Sequence, residues 1–392
     1  MKSNYNVIIV GGGPAGSMAA LECAKAGLKV CLFEKTSKIG SRFRCGEAMS
    51  RNALSYFFNI KEDWVSREIS YCNINSPSGI KLRTEFKNDK CLILNRKVFD
   101  YELALKAEAS GCEIYTKSIV KDLIFEKEEI IGVKVERGGQ KYEVLADIII
   151  AADGIESRIG RKAGIKTQVR MKDMESGIQY LVDDIDIDSE ALDMYVGDEI
   201  SPGGYLWIFP KGERKANIGL AISGKHSPHK SAKKYLDSFI DKRFPNSKIL
   251  SERTGGIIVS KPIEQPIKNN VLLVGDAAHH INPLTGGGIA SAMKSGMYAG
   301  IVVSKAVKAK SISQAQLSEY LKLINKDFVR RHKTLYNIKE AILKLSDSDF
   351  DKIASSISNI PQNKLKLSTI FKSAVYKKPS LVFDVVRVLA GY

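Results

Sequence analysis

The residues Gly11-Gly12-Gly13-Pro14-Ala15-Gly16 have the spacing G-x-G-x-x-G, which suits the cradling of a pyrophosphate. Gly11 permits a tight turn, Gly13 lets backbone approach the phosphates, and Gly16 lets a following helix pack closely on the preceding strand. The helix start adds unsatisfied N–H groups and the positive end of a dipole. Glu34 follows the apolar run ending at Phe33, where an acid can accept hydrogen bonds from ribose hydroxyls. Two later motifs extend this site. Val271 to Gly275 leads into Asp276, placing a carboxylate at a strand end, near a ribityl chain or a pyrophosphate. Ala151-Ala152-Asp153-Gly154, with Ser157 and Arg158 behind it, closes another strand, although Asp153 also reads as a turn aspartate before glycine. Pro283-Leu284-Thr285-Gly286-Gly287-Gly288-Ile289 then opens a helix, and its N–H groups could stabilise the anion of a reduced flavin. In this order the motifs point to FAD rather than NAD.

Those residues need elements to hold them. The chain starts strand (Tyr5 to Val10), glycine turn, helix (Pro14 to Ala26), strand (Leu28 to Phe33), a βαβ opening with a continuously apolar first strand. Segment 36–50 reads as a long polar loop, a length that points to function. Short strands are expected within 70–94, a helix from Arg96 to Ser110, and strands near 112–116, 118–125, 130–136 and 141–150. Strand-like runs near Gly177–Val182, Tyr205–Phe209 and Asn217–Ile222 surround a helix near 231–243. The fold class is α/β with α+β insertions. It comprises a Rossmann-type FAD-binding domain (1–70, 93–170 and 261–305), an inserted antiparallel-sheet substrate domain (71–92 and 171–260) and a C-terminal helical region (306–392).

The bulk composition narrows the field. With 392 residues, 44% of them hydrophobic, the chain can bury a substantial core. The six cysteines are scattered without a C-x-x-C pair, so neither a disulfide framework nor a metal site is readable. No signal peptide and no spanning apolar run (roughly 20 residues) is read, and a cytoplasmic protein is expected. The net charge of +16 fits anionic partners or simply a solvated lysine-rich surface.

At Arg44-Cys45-Gly46-Glu47-Ala48 and Tyr205-x-Trp207-x-Phe209-Pro210 the chain resembles the geranylgeranyl reductase family, within the p-hydroxybenzoate hydroxylase-like flavoproteins. The second run looks like that family's Y-x-W-x-F-P…G-x-G lipid-site motif. Gly219 is in register, but Ala221 replaces the last glycine, which leaves the local backbone open. The resemblance implies FAD contacts by Ala15, Glu34, Cys45, Gly46, Ala48, Arg96, Val120, Asp276, Gly288 and Ile289. It implies a substrate site at Tyr205, Trp207, Phe209, Pro210 and Gly219, and saturation of geranylgeranyl double bonds in archaeal membrane lipid precursors.

Several roles stay open on the residues themselves. Arg96 suits a pyrophosphate contact or a surface ion pair. Val120 and Ile289 read equally well as core. Cys45 either donates a proton, its thiol being mostly protonated near neutrality at a pKa of about 8.5, or only brings its backbone to the flavin. His279 and His280 are alternative donors with ordinary pKa values near the working range, or structural groups. Tyr205, Trp207 and Phe209 share one strand face and form either core or an aromatic wall for a lipid tail. Ferredoxin or NAD(P)H would supply electrons. Peripheral contact with an anionic membrane is expected, with Leu381-Val382-Phe383 and Val385-Val386 able to pack on the fold or enter lipid. Other readings are a monooxygenase of the same fold, a reductase of another prenyl substrate, and a basic nucleic-acid-binding flavoprotein; the last lacks any recognition signature, so no nucleic-acid partner is expected.

Overall fold

The computed structural model describes residues 3–41 and 43–358. The apolar C-terminal runs near residues 381–386 lie outside the described residues. The chain divides into two compact units: Met1–Phe43, Arg96–Gln168 and Ser260–Lys333 form one, and Arg44–Asn95, Val169–Val259 and the chain from Thr334 form the other. Residues 44–70, expected with the dinucleotide domain, therefore group with the second unit, and 306–333 group with the first.

The first unit is built on strand Asn4–Val10, whose run of apolar residues is buried on both faces. It pairs in parallel with Val30–Phe33 on one side and Gln140–Ala151 on the other. Glu113–Tyr115 and Val271–Leu273 extend the parallel sheet outward, and Ile267–Lys268 adds a short antiparallel edge. Strands Ser118–Glu126 and Glu129–Arg137 fold back as an antiparallel hairpin from Gln140–Ala151, the half-exposed alternation of Ile130 to Val135 having predicted such a sheet. Helix Pro14–Lys25 packs on this sheet and also touches helices Arg96–Ala109 and Ile289–Lys308.

Small residues permit that packing. A Cβ added at Gly16 would lie 1.9 Å from the Gly11 carbonyl oxygen, and one at Gly296 would lie 2.0 Å from that of Ala15. Only the absence of side chains lets the helices approach this far.

The second unit holds a seven-stranded sheet in the order Lys248–Ile258, Met174–Asp183, Lys215–Ser223, Tyr205–Pro210, Ala191–Tyr195, Tyr71–Asn75 and Lys81–Glu85. It is antiparallel except where Ala191–Tyr195 runs parallel to Tyr71–Asn75. Helix Ala232–Arg243 covers one face through Leu236 and Ile240, against Ile178, Tyr180, Ile218 and Leu220. The same unit holds a three-stranded sheet of Ala48–Ser50, Cys91–Leu94 and Val65–Ile69, and helix Asp347–Ser358, whose Ile353 and Ile357 pack with Leu82. The end of the expected polar loop is thus a strand, because Ala48 and Met49 pair with Ile93 and Leu92. No described helix is long and apolar enough to cross a membrane.

Gly296→Val should lower the urea midpoint of the protein, by about 1–3 kcal/mol of stability, since overpacking forces the two helices apart. Lys305→Ala, on the exposed side of the same helix, should move it by less than about 0.5 kcal/mol.

Candidate functional site

In the first unit the glycine motif forms a bare pocket of backbone. Gly11 adopts φ +105°, in the left-handed region, and a Cβ there would meet the Ala152 carbonyl oxygen at 2.3 Å. The Gly-rich turn and the Ala151–Gly154 motif therefore meet at one sheet edge. Gly13, the N-cap of the helix, has nothing within 4 Å of an added Cβ. That open space lies beside first-turn N–H groups that lack intrahelical acceptors. Ala15 presses its methyl toward Gly275 and its carbonyl toward Gly296, so what it can offer a ligand is its N–H.

Glu34 is fixed by the same turn. Its Oε2 accepts from Gly12 N at 2.8 Å and its Oε1 from Thr36 N at 2.8 Å. The Glu34 carbonyl accepts from Ser118 N at 2.9 Å, which brings the strand carrying Val120 alongside. Val120 itself packs partly on the apolar core, so it is a core residue on that side and offers its backbone on the other.

Asp276 follows the strand Val271–Leu273 and is half-buried. Burial pushes its carboxyl up to about 6, opposed by the Arg96 guanidinium nearby. An added Cβ at Gly288 would stand 3.4 Å from Asp276 Oδ1, so the carboxylate lies against the start of helix Ile289–Lys308. Asn282 closes the turn before that helix, its Oδ1 accepting from Leu284 N at 3.0 Å and its N donating to the Gly287 carbonyl at 2.8 Å. Ile289 is buried at the first helical position.

Arg96 is not the surface ion pair that its position in the sequence also suggested. Its Nε and Nη2 donate to Asp100 Oδ1 and Oδ2 at 2.6 and 2.7 Å, and both residues are buried rather than forming a surface pair. Asp153 accepts from Ile159 N at 2.9 Å through Oδ2, while Oδ1 is buried without a partner among the described residues. These observations fit a dinucleotide. There is open space at Gly13, an unsatisfied buried oxygen close by in sequence to Ala152, and a carboxyl short of counter-charge beside Gly288. FAD would be held by the Gly11–Gly16 turn, Glu34 and Asp276.

The two histidines are both held inside the fold, one by hydrogen bonds and one by apolar packing. His279 Nε2 donates to the Thr167 carbonyl at 3.1 Å, and Nδ1 lies 3.0 Å from Ser260 Oγ. His280 is fully buried edge-on to Phe328, and burial pushes its pKa down to about 3. For His280 the expectation of an ordinary pKa fails because sequence shows neighbours along the chain and not the apolar shell around a ring.

In the second unit, Cys45, Gly46 and Ala48 meet the aromatic strand. The Cys45 carbonyl accepts from Gln179 Nε2 at 3.3 Å, and Gln179 Oε1 accepts from Trp207 Nε1 at 3.0 Å. A Cβ at Gly46 would lie 2.6 Å from Phe209 Cε2, so this loop rests flat on the rings. Cys45 is half-buried, and its Sγ accepts from Glu47 N at 3.2 Å. Glu47 adopts φ +72° and is buried. Its carboxylate binds Lys211 Nζ at 2.7 Å and also the Asn217 side-chain amide, while Lys211 donates to the Leu94 carbonyl at 3.0 Å.

Tyr205, Trp207 and Phe209 share one sheet face, Tyr205 edge-on to Trp207 and Trp207 tilted against Phe209, with centroids 5.7 and 6.1 Å apart. They pack with Leu192, Ile69 and Ala221. Trp207 lies over Gly219, where a Cβ would approach Cζ2 to 2.5 Å. Ala221 occupies regular strand opposite Tyr205 and Gly177, so alanine here leaves the backbone unchanged and adds a methyl to the aromatic cluster. Pro210 ends its strand, where no ladder donor is needed. Gln179, Lys211 and Asn217 join this cluster without any signal in the sequence, whereas Glu47 lies inside the Arg44–Ala48 motif although no role is legible for it there.

Two family models match the chain, and their spans overlap at residues 173–200. A family model described as "Geranylgeranyl reductase catalytic domain" matches residues 173–257, and one described as "FAD dependent oxidoreductase" matches residues 6–200. The digeranylgeranylglycerophospholipid reductase of Methanocella arvoryzae is 37% identical over 392 residues, 99% of this chain and 100% of that protein. That of Methanosarcina acetivorans is 38% identical, covering 99% of this chain and 97% of the relative. The crystal structure of a geranylgeranyl bacteriochlorophyll reductase-like protein from Thermoplasma acidophilum superposes with TM-score 0.92 at 35% identity, over 98% of this chain and 99% of that one. A flavin-dependent brominase, at 20% identity and TM-score 0.72 over 95% of this chain and 98% of its own, shares the fold alone.

Two substitutions test this geometry. The raised Asp276 carboxyl favours the fold below its unfolded pKa, and that contribution is lost as pH rises through about 6. The urea midpoint of FAD-free Asp276→Asn, measured relative to the unsubstituted protein, should therefore climb between about pH 4 and 6 and then level, while FAD affinity drops. Lys211→Met should cost about 3–5 kcal/mol by stranding the Glu47 charge, and Glu47→Gln in the same chain should recover much of the loss.

Proposed function

The chain belongs to the geranylgeranyl reductase family of FAD-dependent oxidoreductases, and from that footing we propose that it saturates carbon–carbon double bonds in the geranylgeranyl chains of digeranylgeranylglycerophospholipids. The reading is carried by one observation. The match to the reductase catalytic domain spans residues 173–257, whose buried Gln179, Trp207 and Phe209, on the sheet face away from helix Ala232–Arg243, hold the Cys45–Gly46 loop.

FAD bound at the Gly11–Gly16 turn, Glu34 and Asp276 supplies hydride once reduced. Within the chain, the helix start at Gly288–Ile289 brings a positive dipole end to the site, favouring negative charge there. Tyr205, Trp207 and Phe209 present apolar ring faces suited to an isoprenoid tail, with the indole N–H already committed to Gln179. Cys45 serves through its backbone and through a sulfur that receives the Glu47 amide. Peripheral binding to anionic lipid belongs to the same proposal. The net charge of +16 supports it, since each basic residue near such a surface contributes roughly 1 kcal/mol. The electron source is a ferredoxin or NAD(P)H.

Anaerobically reduced protein should reoxidise on digeranylgeranyl lipid, and the lipid mass should rise by whole hydrogen pairs. Insertion of oxygen, or reoxidation without a change in lipid mass, would sink the reading. Trp207→Ala should raise KM at least tenfold if the ring binds the tail, as measured on the same lipid.

A further inference from the structure

The face of the seven-stranded sheet opposite helix Ala232–Arg243 is organised in rows. Cross-strand register aligns Gly255, Gly177, Ala221 and Tyr205 across four strands. Beside this row on one side runs Arg253, Gln179, Gly219 and Trp207; on the other runs Ile257, Glu175 and Ser223. Strand alternation sends Ile178, Tyr180 and Val182 into the core beneath the helix. It therefore places Glu175, Gly177 and Gln179 together on the opposite face. The middle row is a track of small residues ending on the Tyr205 ring. Arg44 covers its Gly255 end, where Cδ would lie 2.3 Å from an added Cβ.

Glu175 does not fit a structural role on this track. Only 8% of it is exposed, yet its carboxylate makes no hydrogen bond or ion pair with any described residue. The cation that acts on it, Lys339, is engaged by Asp173 Oδ1 at 3.3 Å, the Val259 carbonyl at 2.9 Å and Glu340 at 3.4 Å. Its strand neighbours Ile257 and Ser223 carry no charge. Tyr205 lies within electrostatic reach of both Glu175 and Cys45, and burial pushes its phenol upward. Burial likewise pushes the Glu175 carboxyl up to about 7. Glutamine would satisfy a merely structural need on this track without that penalty.

We propose that Glu175 delivers the proton that completes saturation of the alkene. This rests on the reductase reading above, which already supplies the hydride equivalent. As the C=C π bond opens, one carbon gains a C–H bond from the hydride. The other gains a C–H bond as the Glu175 O–H bond breaks, and the remaining carboxylate takes its next proton from water. The residue lies inside the span matched to the reductase catalytic domain, two positions along its strand from the glycine of the track.

The test uses the full-length, FAD-loaded protein, dithionite as reductant and digeranylgeranyl lipid in micelles, with Glu175→Gln and Glu175→Asp. E175Q should retain flavin and bind lipid within about twofold, but saturate it at least about a hundredfold more slowly, the scale of a lost general acid. E175D should recover part of the rate. Because the protonated acid is the active form, the unsubstituted rate should hold below about pH 7 and fall above it, and E175Q should lose that limb. Independently of turnover, 13C NMR of carboxyl-labelled glutamate should show one resonance, absent in E175Q, that titrates near pH 7. Wild-type rate and pH profile in E175Q overturn the proposal while leaving the reductase reading intact, as does a Glu175 resonance titrating with ordinary carboxylates. If the unsubstituted protein adds no hydrogen, the reductase reading falls and the proton-delivery role falls with it. Should E175Q fail to fold, E175D and the resonance titration decide.

Discussion

Helix Pro14–Lys25 sits closer to its surroundings than side chains allow, and the first unit depends on that closeness. Gly16 rides over the Gly11 carbonyl, Gly296 over that of Ala15, and Gly300 over that of Ala19. A helix pressed from two sides has little freedom to tilt or slide. Its N-terminus is therefore aimed by packing, and the first-turn N–H groups point where the open space at Gly13 lies. Glu34 adds a side-chain bond to Gly12 N, so one carboxylate holds both the turn and the end of the second strand. Asp276 and Gly288 then close on the next helix, which Gly296 fastens to the first.

The second unit reaches precision by a different route. Its aromatic strand is held from outside by polar groups drawn from distant parts of the chain. Gln179 accepts from Trp207 and donates to Cys45, so a single amide ties two strands to a loop. The amide leaves the indole neither unsatisfied nor mobile, and a buried polar group with both bonds made specifies one arrangement. Glycines at 46 and 219 let the rings lie flat against backbone on both sides. Ala221 in place of glycine is tolerated because it faces a cluster with room for a methyl.

The parallel strands and their glycine turns were legible because an unbroken apolar run followed by glycine has few other uses. Strand Lys248–Ile258 was not. It is an edge strand, and its run Lys-Ile-Leu-Ser-Glu-Arg-Thr-Gly-Gly lacks a buried face to impose alternation. Ala191–Tyr195 was hidden for another reason, being short and buried at its first three consecutive positions, which removes the alternation. At the site, residues that act through backbone or glycine geometry could be named from motifs. Residues that act as partners could not, since Asn217 and Gln179 look like surface polar positions until a strand partner is known. The grouping of 44–70 with the second unit likewise follows from the pairing of Ala48–Ser50 with Cys91–Leu94, a contact across forty-odd residues that leaves no local mark.

Glu47 carries a conformation that asparagine or glycine would adopt more readily, and it is kept there by Lys211 and Asn217. The backbone preference and the charge thus pull in opposite directions at one position. A lineage could relax the loop by changing residue 47 alone only by leaving a lysine buried beside a carbonyl and an amide without its acceptor. The three positions are therefore bound to drift as a set, and related chains should show either the whole trio or a jointly altered one, with mixed combinations rare.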